Sequence, residues 1–314
     1  MSLTAVIAAP RETWLRRVSD VLVARRGLYL MLLLVPPLLW LGVVYLGSLF
    51  ALLMESFYSI DEFSGTIVRE PTLKTYAELF TPANLDVILR TLSVSVIVTL
   101  LSAIIAYPIA YYAARYARGR VKAAFYLAVM MPLWSSYLVK VYAWKLLLAK
   151  EGIVGWVMSE LHLSWLLDAW LALPVVGGPS LSVSNTGMVL VFLYLWTPFM
   201  ILPLQAALER VPGTLIEASG DLGASPRQTF RKVIFPLALP GLIAGAIFTF
   251  SLTLGDYIVP QIVGPSSLIL GQVVYSQQGN AGNIPLAAAF SVVPIVIMGV
   301  FLTIAKRMGA FDAI

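Results

Sequence analysis

Long apolar runs separated by short polar stretches organise this chain. Six runs, at roughly 28–54, 87–113, 123–149, 186–208, 234–254 and 286–305, are long enough to cross a bilayer, because a helix needs about 20 apolar residues to span the hydrocarbon core. The pattern predicts an all-α membrane protein of six transmembrane helices. Residues 28–305 form one six-span domain between a segment at 1–27 and a tail at 306–314. The first run far exceeds the roughly 7–15 apolar residues of a signal peptide and lacks a prompt small-residue cleavage site, so it is expected to remain as a span. A seventh stretch, LHLSWLLDAWLALPVV at 161–176, holds His162 and Asp168 and is too short to cross. It is expected in an outer loop, 150–185, with interfacial helices anchored by Trp156, Trp165 and Trp170 and a closing turn GGPSLSVSN. No internal repeat suggests the inverted halves of a secondary transporter.

Composition agrees. The chain is 60% hydrophobic and 12% charged, with mean hydropathy +0.88, whereas a soluble domain is about 25% charged. It has no cysteine, which excludes disulfides, zinc–thiolate sites and thiol chemistry, and the single His162 leaves no histidine-rich metal or proton-relay site. Cations gather before the first span (Arg11, Arg16, Arg17, Arg25, Arg26) and between the second and third (Arg115, Arg118, Arg120, Lys122). They recur between the fourth and fifth (Arg210, Arg227, Arg231, Lys232) and in the tail (Lys306, Arg307). With six spans, these fifteen of the 21 Lys and Arg share one side. The positive-inside rule makes that side, and both termini, cytoplasmic. The net charge of +5 then needs no nucleic acid to explain it.

One loop reads like part of a soluble protein: LIEASGDLGASPRQTFRKVIFPLALPGL, residues 215–242. Thr214 and Glu217 have capping-box spacing, which predicts a helix starting there and stopping at Gly223. Ser225, Pro226 and Gln228 repeat the start signal. Two short helices hinged at Gly223 are expected, in a loop spanning 209–233. The first, about 12 Å long, is too short to stand alone in water and needs a surface to rest on. Glu217 and Asp221 share a face, and Ala218 and Leu222 offer apolar contacts. Capping chemistry alone fits equally a well-capped loop and a docking element for a soluble partner.

Candidates for a substrate path are ionisable residues near the spans, where a mid-bilayer charge costs about 2.5–3.5 kcal/mol. Lys140 and Lys145 lie toward the outer end of span three, where their stems can snorkel. Asp256, beside Tyr257 at the outer end of span five, suits an ammonium substrate by charge and cation–π attraction. The plainer alternative is a helix-end aspartate facing water or paired with Lys140. Trp134, Tyr137, Trp144 and Trp196 read first as belt or bundle residues and second as pathway residues. Pro236 and Pro240 restrict the start of span five, and Gly241 and Gly245 form a small-xxx-small pair for close helix packing. With no G-x-x-x-x-G-K-[ST] loop, this chain has no phosphate cradle of that kind.

The loop resembles the EAA loop of ABC-importer permease subunits: Glu-Ala-Ala, three residues, Gly, nine residues, then Ile-x-Leu-Pro. Glu217, Ala218, Gly223 and Pro236 match at the right spacing, while Ser219, Val233 and Phe235 are size-conservative departures. PLWSSYLVKVYAW (132–144), LGDYIVPQIVGP (254–265) and NIPLAAAFSVV (283–293) are similar to segments of the polyamine-type group, the spermidine/putrescine permeases in particular. The resemblance implies a type I importer of MetI-like fold whose EAA helix docks into a cytoplasmic ATPase dimer that holds ATP and Mg. It also implies a second homologous permease and an extracytoplasmic binding protein. Carried onto this sequence, the ATPase-coupling residues are Glu217, Ala218, Ser219, Asp221, Leu222, Gly223 and Arg227. The candidate pathway residues are Asp256, Tyr257, Lys140, Tyr137 and Trp134. Related importers carry iron(III), thiamine, phosphonates or other small solutes. A gradient-driven secondary transporter, the alternative from another class, would need ion-coupling charges near mid-membrane, whereas the charges here gather at span ends and loops; a membrane enzyme would need a nucleophile–base or metal constellation, for which one histidine and no cysteine are poor material.

Overall fold

The computed structural model describes residue 14, residues 26–61 and residues 63–309. Arg11, Arg16, Arg17, Arg25 and residues 310–314 lie outside the described residues, as does most of the expected 1–27 segment. Two compact units emerge, residues 1–55 and 56–314. In the first, a 27-residue helix, Tyr29–Glu55, is long and apolar enough to span. It comprises α1 (Arg26–Leu39), a π-helical stretch Trp40–Leu46 and α2 (Gly47–Glu55). Pro36 and Pro37 cannot donate to the carbonyls of Leu32 and Leu33. The wider π turns follow directly.

The second unit opens with a small hairpin. Strands β1 (Ser59–Ile60) and β2 (Ile67–Val68) pair antiparallel, Ser59 with Val68 and Ile60 with Ile67. Asp61 closes the turn by accepting the backbone N–H groups of Ser64 (2.8 Å) and Phe63 (2.9 Å). These two donors, Ser64 first, and the Ser64 hydroxyl hold its carboxyl below the usual carboxylate range. Helices α3 (Lys74–Leu79), α4 (Pro82–Arg115), α5 (Gly119–Trp134), α6 (Tyr137–Leu147), α7 (Ile153–Glu160) and α8 (Ser164–Leu171) follow. A 3₁₀ turn, Leu181–Val183, leads into α9 (Asn185–Arg210) and α10 (Gly213–Asp221). Next, α11 (Pro226–Thr229) continues through a π-helical segment, Phe230–Ile234, into α12 (Phe235–Leu254). Helices α13 (Ile258–Ile262), α14 (Leu270–Gly279) and α15 (Ile284–Arg307) complete the described chain.

Helices α4, α9 and α12 form the packed centre. Val98, Phe192, Leu195 and Val259 are buried together toward one end of α9, and Ala110, Leu204, Leu208 and Ala238 toward the other. A third cluster joins Leu79, Leu270, Val273 and Phe290 across α3, α14 and α15. Glycine permits the tightest contact. A Cβ on Gly241 would lie 2.4 Å from Ala207 Cβ and 2.6 Å from the Pro203 carbonyl, and one on Gly245 would lie 2.9 Å from Met200 Cα. The small-xxx-small pair thus lays α12 directly on α9. Buried hydroxyls on α4 bond their own backbone: Thr91 donates to Val87 O (2.7 Å), Ser95 to Thr91 O (2.9 Å) and Thr99 to Ser95 O (2.7 Å). Each is thereby satisfied inside the bundle at little cost.

Among the described residues, five helices are long and apolar enough to cross, or six if one bent pair counts as a span. That pair overlaps the expected span at 123–149 and shows a break inside it. It is α5 and α6, bent by 95°. Pro132, in the last turn of α5, has no N–H to give the Ala128 carbonyl. Ser135 and Ser136 then run extended, at ψ 151° and 133°. Both arms are apolar, so hydropathy alone passes over the break.

Candidate functional site

Helix α10 is shaped by its two ends. Pro212, at φ −64° and ψ 135°, occupies the N-cap position without a side-chain cap, and the helix begins at Gly213. Thr214 therefore sits inside the first turn, and the expected Thr214–Glu217 capping box does not form. The rigid Pro212 sets the approach instead, its carbonyl accepting Leu215 N–H at 3.2 Å. The far end follows expectation. Gly223 adopts φ +75°, and Ala224 N–H reaches back to Ser219 O at 3.1 Å, a left-handed stop that glycine makes at no steric cost.

Beyond the turn the Ser225 capping box is present: Gln228 Oε1 accepts Ser225 N–H at 2.8 Å, and Ser225 Oγ accepts Gln228 N–H at 3.4 Å. The helix it starts is not short, which corrects the expected pair of short helices. Pro226–Leu254 is one helix of 29 residues. Pro236 leaves the Lys232 carbonyl without its ordinary donor, and the π-helical segment Phe230–Ile234 carries the chain past that gap without ending the helix. The loop is thus joined rigidly to a span.

The faces of α10 separate cleanly. Ile216 packs on the buried cluster around Leu204 and Ile234, and Ser219 Oγ meets Thr229 Oγ1 at 2.9 Å. Glu217, Ala218, Asp221, Gly223 and Arg227 are exposed, and Leu222 is 88% exposed. Six of the seven predicted coupling residues therefore share the open side, while Ser219 turns inward and positions the helix.

A brace beneath the loop escaped the sequence reading, which took its cations as topogenic only. Arg115 Nη2 donates to Val211 O at 2.9 Å. Lys122 pairs with Glu209 at 2.8 Å, and the same Glu209 oxygen accepts from Gln205 (3.1 Å) and Tyr126 (3.2 Å). Tyr107 meets Phe230 edge-on, centroids 5.4 Å apart. No local spacing links residues so far apart in sequence.

At the opposite end of α9, Asp256 is half-buried. Its Oδ1 accepts Ile258 N–H (2.7 Å) and Val259 N–H (3.0 Å) at the start of α13, and its Oδ2 accepts the Tyr137 hydroxyl. Tyr137 stacks on Trp196 at 5.9 Å, and Tyr257 on Tyr275 at 5.0 Å. Tyr137, Trp196, Ser251, Gly255, Asp256 and Tyr257 line an open cleft of about 360 Å³. A carboxylate offers about four lone-pair sites, so three filled leave room for one more donor. Lys140 does not join them. Its ammonium donates to Pro132 O at 2.7 Å, a carbonyl released where α5 ends, so the alternative Lys140–Asp256 pair is not formed. Trp134, 75% exposed at the end of α5, is not part of the cleft lining.

The arrangement can bind and move, but it presents no nucleophile–base pair. Among the described residues, no three His, Asp or Glu side chains gather to hold a metal ion.

Comparison with known proteins places this geometry. Residues 106–311 match the family described as binding-protein-dependent transport system inner membrane component. The chain is 56% identical over 309 residues to the inner membrane ABC transporter permease protein YdcU of Escherichia coli K12, covering 98% of this chain and 99% of that protein. It is 29% identical over 238 residues to the spermidine/putrescine transport system permease protein PotB of Salmonella typhimurium, covering 75% and 78%. Its fold is similar to a chain of a bacterial ABC transporter involved in the import of the acidic polysaccharide alginate, with TM-score 0.68 and 16% identity over 93% of this chain and 98% of that one.

Proposed function

This chain belongs to the binding-protein-dependent transport system inner membrane components, the multi-pass permease subunits of ABC importers, and on that premise we propose that it moves polyamines across the bacterial inner membrane. It is a transport subunit and not an enzyme. Substrate arrives from an extracytoplasmic binding protein, and ATP is hydrolysed by a cytoplasmic ATPase dimer seated against α10. A second, homologous permease completes the pathway.

The observation that carries the coupling role is the two-sided α10. Its inner face is tied to the bundle through Ile216 and the Ser219–Thr229 hydrogen bond, its outer face is open, and its C-terminal turn leads straight into the helix Pro226–Leu254. A push on Leu222 and Glu217 is therefore delivered to a span that packs against α9 and α4. That is what alternating access requires of a short docked helix.

Polyamine as substrate is supported by the likeness to PotB and by the Asp256 cleft. A carboxylate among tyrosine and tryptophan rings attracts a protonated amine and disfavours an anion. Tyr137 and Tyr257 line that cleft, whereas Lys140 and Trp134 lie outside its lining. The decisive experiment co-expresses the chain with its neighbouring transport genes, reconstitutes the complex with its binding protein and measures uptake of labelled putrescine and spermidine. Saturable uptake that stops without ATP supports both assignments. ATP hydrolysis stimulated by the binding protein, with neither amine entering, removes the polyamine reading alone. Absence of any associated ATPase removes the coupling role of α10.

A further inference from the structure

Helices α7 and α8 are apolar on both sides: Val154, Leu167 and Leu171 pack against the buried cluster around Phe192, and tryptophan and aliphatic side chains face outward beside the exposed Ser159, Glu160, Ser164 and Asp168. On α8, Ser164, Leu167, Asp168 and Leu171 line a cavity of about 380 Å³ against the body of the protein. Leu166 lies on the opposite side, flanked by Trp165 and Trp170, and all three are exposed. On α7, Val154 packs inward beside the buried cluster around Phe192, while Ile153 and Trp156 are exposed. A helix bathed in water keeps its outer face polar, whereas here large apolar side chains occupy much of that face.

The turn after α8 extends the same surface. Val175 is 83% exposed and held at φ +73°, a conformation that β-branched residues seldom adopt. The hydrogen bonds that hold it come from the first turn of α9. Asn185 Nδ2 donates to Val175 O, and Thr186 donates to Val176 O through its N–H (3.3 Å) and its hydroxyl (3.0 Å). Trp170 Nε1 donates to Thr186 Oγ1 at 3.0 Å. Indole and turn are thus locked level with the end of a membrane-spanning helix.

We infer that α7, α8 and the turn at Val175 form a membrane anchor that lies in the phospholipid headgroup layer, at the end of α9 opposite α10. The lipid surface fits because the patch is continuous with a span whose depth is set by the bilayer. Tryptophan suits that boundary, with an apolar body for the acyl chains and an N–H for the headgroups. The exposed row Leu138, Tyr142 and Leu146 carries the apolar surface along α6. Helix α5, 16 residues long, rises about 24 Å, which carries the chain across most of the roughly 30 Å hydrocarbon core toward its far boundary. The chain turns aside there, and α6 to α8 run along the boundary as an interfacial segment.

The absence of cysteine makes the test direct. Leu166→Cys and Val175→Cys, each carrying a nitroxide, are reconstituted in the assembled transporter in phosphatidylethanolamine/phosphatidylglycerol vesicles. Collisions with oxygen, which concentrates in lipid, are compared with those of a water-soluble nickel chelate. The anchor predicts that oxygen dominates at both sites. Dominance by nickel would place the patch in water and overturn the proposal. Protection from both reagents would mean that protein covers it, whether binding protein or partner permease, and would overturn it equally. As a second reading free of any label, Trp156→Phe/Trp165→Phe should lose emission that is quenched by lipids brominated near the headgroup end of the acyl chain. An unchanged quenched fraction counts against the anchor.

Discussion

Ser219 and Thr229 meet hydroxyl to hydroxyl at 2.9 Å across the turn at Gly223, fastening α10 to the first turn of the helix that enters the membrane. The bond fixes the angle at which the open face of α10 is presented. Ser219→Ala should cost about 1 kcal/mol locally. Backbone amides of residues 213–222 should then exchange roughly five-fold faster by hydrogen–deuterium mass spectrometry, and Ser219→Ala/Thr229→Val should add little to either single change. Unchanged exchange in Ser219→Ala would show that Ile216 packing alone holds the helix.

Leu222, at the C-cap of α10, leaves its apolar side chain 88% exposed. Covering a leucine side chain is worth about 1.5–3 kcal/mol, so Leu222→Ala should weaken association with the ATPase roughly ten- to hundred-fold. Glu217→Ala should also impair coupling while the permease elutes as a folded species. Wild-type affinity in a pull-down titration of both variants would disprove docking through this face.

At the outer cleft, Asp256→Asn keeps a side-chain oxygen able to accept the Ile258 and Val259 N–H groups but removes the charge. A hydrogen bond to a charged group is worth about 1.5–3 kcal/mol, so KM for polyamine uptake should rise about ten-fold or more. Tyr137→Phe keeps the stacking on Trp196 and frees a lone pair on Asp256, so KM should hold or fall. If the two variants raise KM equally, the tyrosine hydroxyl is part of the binding group and not a place-holder.

The contact of α12 on α9 sets its own limit. Gly241→Ala puts a methyl 2.4 Å from Ala207 Cβ and 2.6 Å from a backbone carbonyl, an overpacking expected to cost about 1–3 kcal/mol. Gly213→Ala meets nothing within 4 Å and should be neutral or stabilising by about 0.4–1 kcal/mol. Thermal melting of the purified complex separates the two; equal melting temperatures would show that α12 can retreat from α9 freely.

Much of the loop was legible because its signals are local. Gly223 stops α10 through its own backbone freedom, and Ser225 with Gln228 caps the next turn across three residues. The Thr214–Glu217 spacing misled because Pro212, two residues earlier, already dictates where the helix begins. Lys140 and Asp256 attract one another on paper, yet each found a nearer partner: Pro132 O for the ammonium, Tyr137 and the α13 amides for the carboxylate.

By itself the sequence determined that the chain is helical and crosses a membrane, because a bilayer leaves backbone polar groups no partners except their own helix, and that demand shows as runs of about 20 apolar residues. It also determined the loop with its Gly223 stop, and the pairing of Gly241 with Gly245, whose missing side chains invite a close neighbour. Only the tertiary structure decided that span three breaks by 95°, that Ser219 faces in while Leu222 faces out, that Tyr137 reaches Asp256 and that Glu209 gathers Lys122, Tyr126 and Gln205. Hydropathy and capping are sums over neighbours in the chain. Which faces meet across 80 to 120 residues depends on how three long helices pack, and that is a property of the whole bundle.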